Sequence, residues 1–369
     1  MQRAYVGTRK GVFTLERRRK RWRVAAEAFL GDPVSALMVD PRDGTLHAAL
    51  DLGHFGVKMR VSRDAGTTWS EEAAPAYPPA PAGAPIEDRG RGHEPPWVVQ
   101  KIWALEAGSA DRPGELWAGT IPGGLFRSPD GGQHWELVRP LWEMPERKQW
   151  MGGGYDHPGL HSICVDPRDG RRVTIAVSTG GVWRTEDAGA SWTVRSQGMF
   201  AAYLPPERKH DPILQDAHRV VQCVAAPDVF WCQHHNGVFH STDGGSRWHE
   251  IASVQPSVFG FAVAVHPAKP ETAWFVPAVK DECRIPVGGQ VVVARTRDGG
   301  QRFDVLREGL PQEHAYDLVY RHGLAVDSTG QRLIFGSTSG GVWLSDDEGD
   351  SWSALPARLP PVNCVSFGP

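Results

Sequence analysis

Thr185-Glu-Asp187-Ala-Gly189-Ala-Ser-Trp192 follows the apolar run Gly180-Gly-Val-Trp-Arg184 and opens the short segment Trp192-Thr-Val-Arg195. Asp and Gly between two strands signal a hairpin. The Asp carboxylate can accept backbone N–H bonds within the turn. The Gly supplies a positive φ that other residues tolerate poorly, and the aromatic can fold back over the turn. Five more copies follow the same rule: Ser62 to Trp69, Ser128 to Trp135, Ser241 to Trp248, Thr296 to Phe303 and Ser345 to Trp352. Their aspartates fall at 64, 130, 187, 243, 298 and 347, far enough apart for four short strands each. A phrase repeated at such intervals marks a repeat architecture.

The phrase resembles the Asp-box, or BNR, repeat, and the resemblance runs through almost the whole chain. It implies an all-β fold: a β-propeller whose blades are four-stranded antiparallel sheets, with each box between the third and fourth strands. A seventh, degenerate unit stands at the N-terminus, where Val6-Gly-Thr-Arg-Lys10-Gly-Val-Phe-Thr14 resembles Val177 to Thr185 but lacks the Asp and Gly. That unit has no first strand, and Val362-Asn-Cys-Val-Ser-Phe367 at the other end supplies one. The expectation is one domain over 1–369, a seven-bladed propeller closed by pairing the C-terminal strand with the N-terminal blade. Six blades is the fallback. Closure matters because an open ring would expose a strand edge.

Length alone would suggest two or three domains, but one repeat array can take all 369 residues. The formal charge of −3 offers no sign of a nucleic-acid partner. Met1-Gln-Arg leads directly into a strand, with no signal peptide, and no stretch reaches membrane-spanning length. The odd set of five cysteines, without a CxxC pair, reads as reduced thiols in a cytoplasmic protein. Oligomeric state is left open.

The fold points function away from the boxes. In propellers of this kind the ligand meets the other face, near the central channel. The long insertions fall there, at Glu71 to Gln100, Pro140 to His161 and Arg195 to His218, and they are rich in titratable and aromatic residues. Three functions compete. The first is a hydrolase or lyase acting on a polar, carbohydrate-like or anionic small substrate. Its candidate acid–base and electrostatic groups are His161, His218, Asp156, Glu94, Asp317 and Arg219, with Asp211 and Asp216 as further carboxylates. Its candidate substrate contacts are His93, Trp97, Lys101, Trp150, Tyr155, His157, His235, Arg284 and Tyr316, with Trp142 as another stacking surface. Glycoside cleavage would need two carboxylates at a fixed separation. Sialidases resemble the chain in their boxes and carry Arg-Ile-Pro near the start. Here Arg284-Ile-Pro286 lies in a late unit, a departure from that pattern.

The second function is a metal enzyme. Histidines at one end of several inner strands would ring the channel, as in carotenoid-cleaving oxygenases and oligogalacturonate lyases. The candidate ligands for Fe, Mn or Zn are His161, His218, His322 and His235. No compact ligand motif such as HExxH is present. The third function is a protein- or peptide-binding propeller, as in the photosystem assembly factor and the sortilin-like receptors that share the box.

Overall fold

The computed structural model describes residues 2–19, 21–82 and 97–368. Seven four-stranded antiparallel sheets form a ring. Blade 1 holds Val362–Phe367, Arg3–Thr8, Gly11–Arg18 and Arg21–Ala28, in that order outward from the axis. Its inner strand therefore comes from the C-terminus, in register from Ala4 opposite Phe367 to Thr8 opposite Val362. The remaining inner strands are Val34–Val39, Lys101–Ala107, Leu160–Val165, Ala217–Gln222, Gly260–Val265 and Leu324–Val326, opening blades 2 to 7. Each touches the next around the channel, and Leu324–Val326 touches Val362–Phe367. The ring has no open seam.

The six phrases form one turn repeated. In the first, the Gly66 N–H donates to Ser62 Oγ at 2.8 Å, the Ser62 hydroxyl donates to Asp64 Oδ1 at 2.8 Å, and the Thr68 N–H donates to Asp64 Oδ1 at 2.8 Å. The same three bonds recur at Ser128, Thr185, Ser241, Thr296 and Ser345. Gly189 shows why the third conserved element must be glycine: its φ is 94°, and a Cβ there would sit 3.1 Å from Val138 Cγ1. The aromatic then ties the turn down, as when Trp248 Nε1 donates to the Arg195 carbonyl at 2.7 Å.

Between blades the apolar faces of the sheets pack together. Trp117, Trp231, Trp248 and Trp274 are among the largest side chains buried there. Where blades approach most closely, glycine is required: a Cβ on Gly119 would lie 2.3 Å from Leu160 Cδ2 in the next blade. All five cysteines are unpaired. Among the described residues, no helix is long and apolar enough to cross a membrane.

Candidate functional site

Antiparallel order decides which loops share a face. The six box turns join third to fourth strands, so they lie at one end of the ring. The turns between second and third strands, and the connections between blades, lie at the opposite end. That end contains a cavity of about 610 Å³ at the mouth of the channel. Its walls come from turns in blades 1, 2 and 6, at Arg9, Lys10, Asp51 and Arg284. The connections before blades 4 and 7 add Gly153 to Tyr155 and Tyr320 to His322. A second cavity of about 310 Å³ lies along the inner strands and shares Trp103 and His322 with the first.

The mouth is cationic. Among the described residues, Arg9, Lys10, Lys101, Arg284 and Arg321 line it against a single acid, Asp51. Arg321 is the group that matters most. It is 7% exposed, and its guanidinium lies 4.8 Å from the Trp103 ring and 5.3 Å from the Phe261 ring. Trp103 and Phe261 belong to inner strands on opposite sides of the channel, so Arg321 spans it. Its Nε is buried without a hydrogen-bond partner. Burial pushes the guanidinium below its ordinary range, while Asp216 and Tyr155 pull it back up. Lys101 donates to the Tyr155 hydroxyl at 3.1 Å on the rim. Arg284 is neutralised locally by Asp281.

Beside this collar stands a group of imidazoles and one buried carboxylate. The His218 ring stacks on Phe261, with centroids 4.4 Å apart and planes 13° apart. His218 Nδ1 lies 2.7 Å from the Gly260 carbonyl oxygen, so that nitrogen carries the proton and Nε2 keeps its lone pair. Asp216 Oδ2 sits 3.9 Å from His218 Nε2 and 3.5 Å from His235 Nδ1. Asp216 Oδ1 is buried with no hydrogen-bond partner. Burial raises the Asp216 pKa, but His235, His218, Arg321 and His234 outweigh it and the net shift is downward. Burial lowers His218 to about 3 despite the pull of Asp216. On His235 burial acts downward too, yet the Asp216 contact wins and its pKa rises. Among the described residues these three form the only group of three His, Cys, Asp or Glu side chains whose ligand atoms all lie within 4.8 Å of one another.

The four histidines expected to ring the channel fall into two pairs. His218 and His235 join Asp216. His161 and His322 meet elsewhere, where His322 Nε2 donates to the His161 carbonyl at 2.8 Å. Arg219 Nη1 donates to that same carbonyl at 3.0 Å, which holds it inside the channel rather than at the mouth. His161 is fully buried, with Nδ1 3.0 Å from Ser162 Oγ and Nε2 unpartnered. Burial, then Arg321, His322 and Arg219, hold its pKa well below the ordinary histidine value.

The other expected contacts separate by burial. Lys101, Tyr155 and Arg284 line the cavity. Trp150 is buried against Trp183, and Trp97 packs on Tyr77 and Trp142, so these indoles form the cores of their own loops. His157 is buried. Asp317 accepts from the hydroxyls of Ser337 and Ser339. Asp211 caps a short turn by accepting from the Ile213 N–H at 3.1 Å. Asp156 and Tyr316 are exposed on their loops. His93 and Glu94 lie outside the described residues. Sequence reasoning missed Arg321, Trp103 and Phe261. Arg321 carries one available signal, its place directly before His322.

No protein family matches the chain, and no curated protein does. Solved structures do. A functionally unknown protein from Desulfotomaculum acetoxidans DSM 771 is 9% identical over 100% of this chain and 99% of its own, with a TM-score of 0.60. YCF48 from Cyanidioschyzon merolae is 14% identical over 89% of this chain and 86% of its own, with a TM-score of 0.56. An ancestral GH74 enzyme is 15% identical over 90% of this chain, with a TM-score of 0.57, but the chain spans only 38% of that enzyme. The likeness is one of fold. At such identities the shared propeller carries no activity with it. These neighbours include both enzymes and proteins without a described activity, so function has to be argued from the mouth.

Proposed function

We propose that the chain is an enzyme of hydrolase or lyase type that acts on a polar, anionic small molecule held at the channel mouth. The observation that carries this reading is Arg321, a buried guanidinium set between Trp103 and Phe261, whose Nε has no hydrogen-bond partner among the described residues. It faces a cavity large enough for one or two sugar rings or a similar polar ligand. A carboxylate, sulfate or phosphate on the ligand would complete its hydrogen bonding, with Lys101 and Lys10 reinforcing the field. His161 Nε2, buried and unpartnered, and the Asp216–His235 contact offer acid–base groups close to that position. The six box turns fit the Asp-box repeat, and the position of the mouth on the face away from them supports this reading. Five unpaired cysteines fit a cytoplasmic protein.

A binding propeller is the second reading. It is favoured by Phe55, Tyr155, Tyr203 and Tyr316, large exposed aromatics on the loops of the mouth face. They would grip an acidic peptide, with Arg321 as its anchor.

One experiment separates the two. The protein is incubated with uronate- and sialate-bearing oligosaccharides, their neutral counterparts and acidic peptides. Turnover is read by mass spectrometry and binding by calorimetry. Cleavage confined to anionic glycans supports the enzyme. Peptide binding without turnover of any glycan overturns it.

A further inference from the structure

We propose that Asp216, His218 and His235 form a binding site for one divalent transition-metal ion beside the mouth. Two ligands held about 2.1 Å from one ion in a tetrahedral array are roughly 3.4 Å apart. The 3.5 Å from Asp216 Oδ2 to His235 Nδ1 and the 3.9 Å to His218 Nε2 are close to that spacing. The His218 tautomer is already set for ligation. Its Nδ1–H is committed to the Gly260 carbonyl at 2.7 Å, which leaves Nε2 as the lone pair facing Asp216. A ligating histidine is commonly oriented in this way, through a hydrogen bond from its other nitrogen.

The surroundings keep the group in place without filling it. Phe261 stacks on the His218 ring, and Tyr203 meets the His235 ring edge-on at 5.2 Å. The Asp216 N–H lies 3.1 Å from His234 Nε2, so His234 fixes the backbone of the carboxylate and stays out of the cluster. Asp216 Oδ1 has no protein partner. Gly153 passes so close that a Cβ there would lie 3.3 Å from that oxygen. A buried carboxylate without a donor on one oxygen is costly, and a cation held by the group would offset its charge. Two imidazoles and one carboxylate suit Zn, Mn or Fe and leave a coordination position for water or substrate. His235, with 22% of its side chain exposed, marks the way in.

This inference shares Asp216 and His235 with the anionic-substrate reading but is tested separately, since metal binding is measured without any substrate. Chelator-stripped full-length protein is titrated separately with Zn²⁺, Mn²⁺ and Co²⁺ by calorimetry, and the Co²⁺ complex is read by its visible absorption. We expect one ion per chain and a cobalt spectrum typical of nitrogen and oxygen ligands. Both should vanish in Asp216→Asn and His218→Ala, and persist in His322→Ala. His235→Gln, at a partly exposed position, tests the same site if the buried variants fail to fold. Absence of stoichiometric binding to the folded wild type overturns the proposal. So does binding, with an unchanged cobalt spectrum, in folded His235→Gln.

Discussion

Arg321→Met separates what the mouth does for binding from what it does for stability. Methionine keeps much of the length and apolar body of the side chain, so Trp103 and Phe261 retain a partner between them. What disappears is a buried charge with no acid paired to it among the described residues. Burying such a charge costs several kcal/mol. Two cation–π contacts of about 1–2 kcal/mol each offset part of that cost, as does attraction to Asp216. The variant should therefore be more stable than the wild type, by about 1 kcal/mol. Unfolding entropy of about 2.1 cal/mol/K per residue, over a chain of this length, turns 1 kcal/mol into a rise of about 1 °C in Tm. Binding should move the other way. Hydrogen bonds between ionised groups contribute about 1.5–3 kcal/mol, so affinity for an anionic ligand should fall roughly 10- to 150-fold. Ligand at about 100 times its Kd stabilises the folded state by about 2.7 kcal/mol. That concentration of uronate should then raise the wild-type Tm by about 3 °C and the variant by about half that at most. Differential scanning calorimetry with and without ligand reads both effects. A variant that melts several degrees lower, yet shows the same ligand-induced shift, would refute the idea that Arg321 is held ready for an anion.

Trp142→Ala should destabilise the protein by about 3–5 kcal/mol, because this indole is 3% exposed and packs on Tyr77, Trp97 and Arg147; a variant with wild-type Tm but altered glycan affinity would show that it meets ligand instead. Hydrogen bonds from the Thr68 hydroxyl, from His134 and from the Ser191 hydroxyl are the foremost causes holding Asp64, Asp130 and Asp187 at about 2. Their depressed values add stability above the unfolded pKa of about 4, lost as pH falls through about 2, so Tm should drop over that window and Asp187→Asn should flatten the drop. Removing residues 362–369 takes away the inner strand of blade 1 and bares the edge Ala4 to Thr8. The truncated chain should aggregate on size-exclusion chromatography, and a monomer with unchanged Tm would contradict closure by that strand.

How legible each feature was depended on the range of its interactions. The box turn is complete within eight residues: Ser62, Asp64, Gly66 and Thr68 satisfy one another, so the phrase alone dictates the turn. Ring closure was legible for a related reason, since a unit lacking its first strand and a surplus strand at the other end complement each other. The face of the mouth followed from antiparallel order. The identity of the site residues did not. Trp142 and Trp150 stood in long polar loops and looked like stacking surfaces, yet such loops need cores of their own, and these indoles supply them. Arg321 carries no motif. Its environment is made by Trp103 in blade 3 and Phe261 in blade 6, two residues that nothing in the local sequence relates to it. The His ring split for the same reason: Asp216, two residues from His218, draws His235 to itself, while His322 turns to the His161 backbone.

The box turns and the mouth treat their polar atoms differently. At each box turn the aspartate accepts hydrogen bonds from its own turn. At the mouth and beside it, Arg321 Nε, His161 Nε2 and Asp216 Oδ1 are all buried and all without a partner among the described residues. One is a donor, one an acceptor, and the imidazole can be either. Each such atom costs about 1–3 kcal/mol if it stays unpaired. A chain with a formal charge of −3 also gathers five cations around this cavity, of which Arg284 is paired with Asp281, against one lining acid among the described residues. The average composition conceals that local field, because surface aspartates and glutamates elsewhere balance it. Complementary unpaired groups converge around this cavity, and a ligand bound there would meet them. A ligand that is both anionic and able to meet a metal or an imidazole answers all three at once.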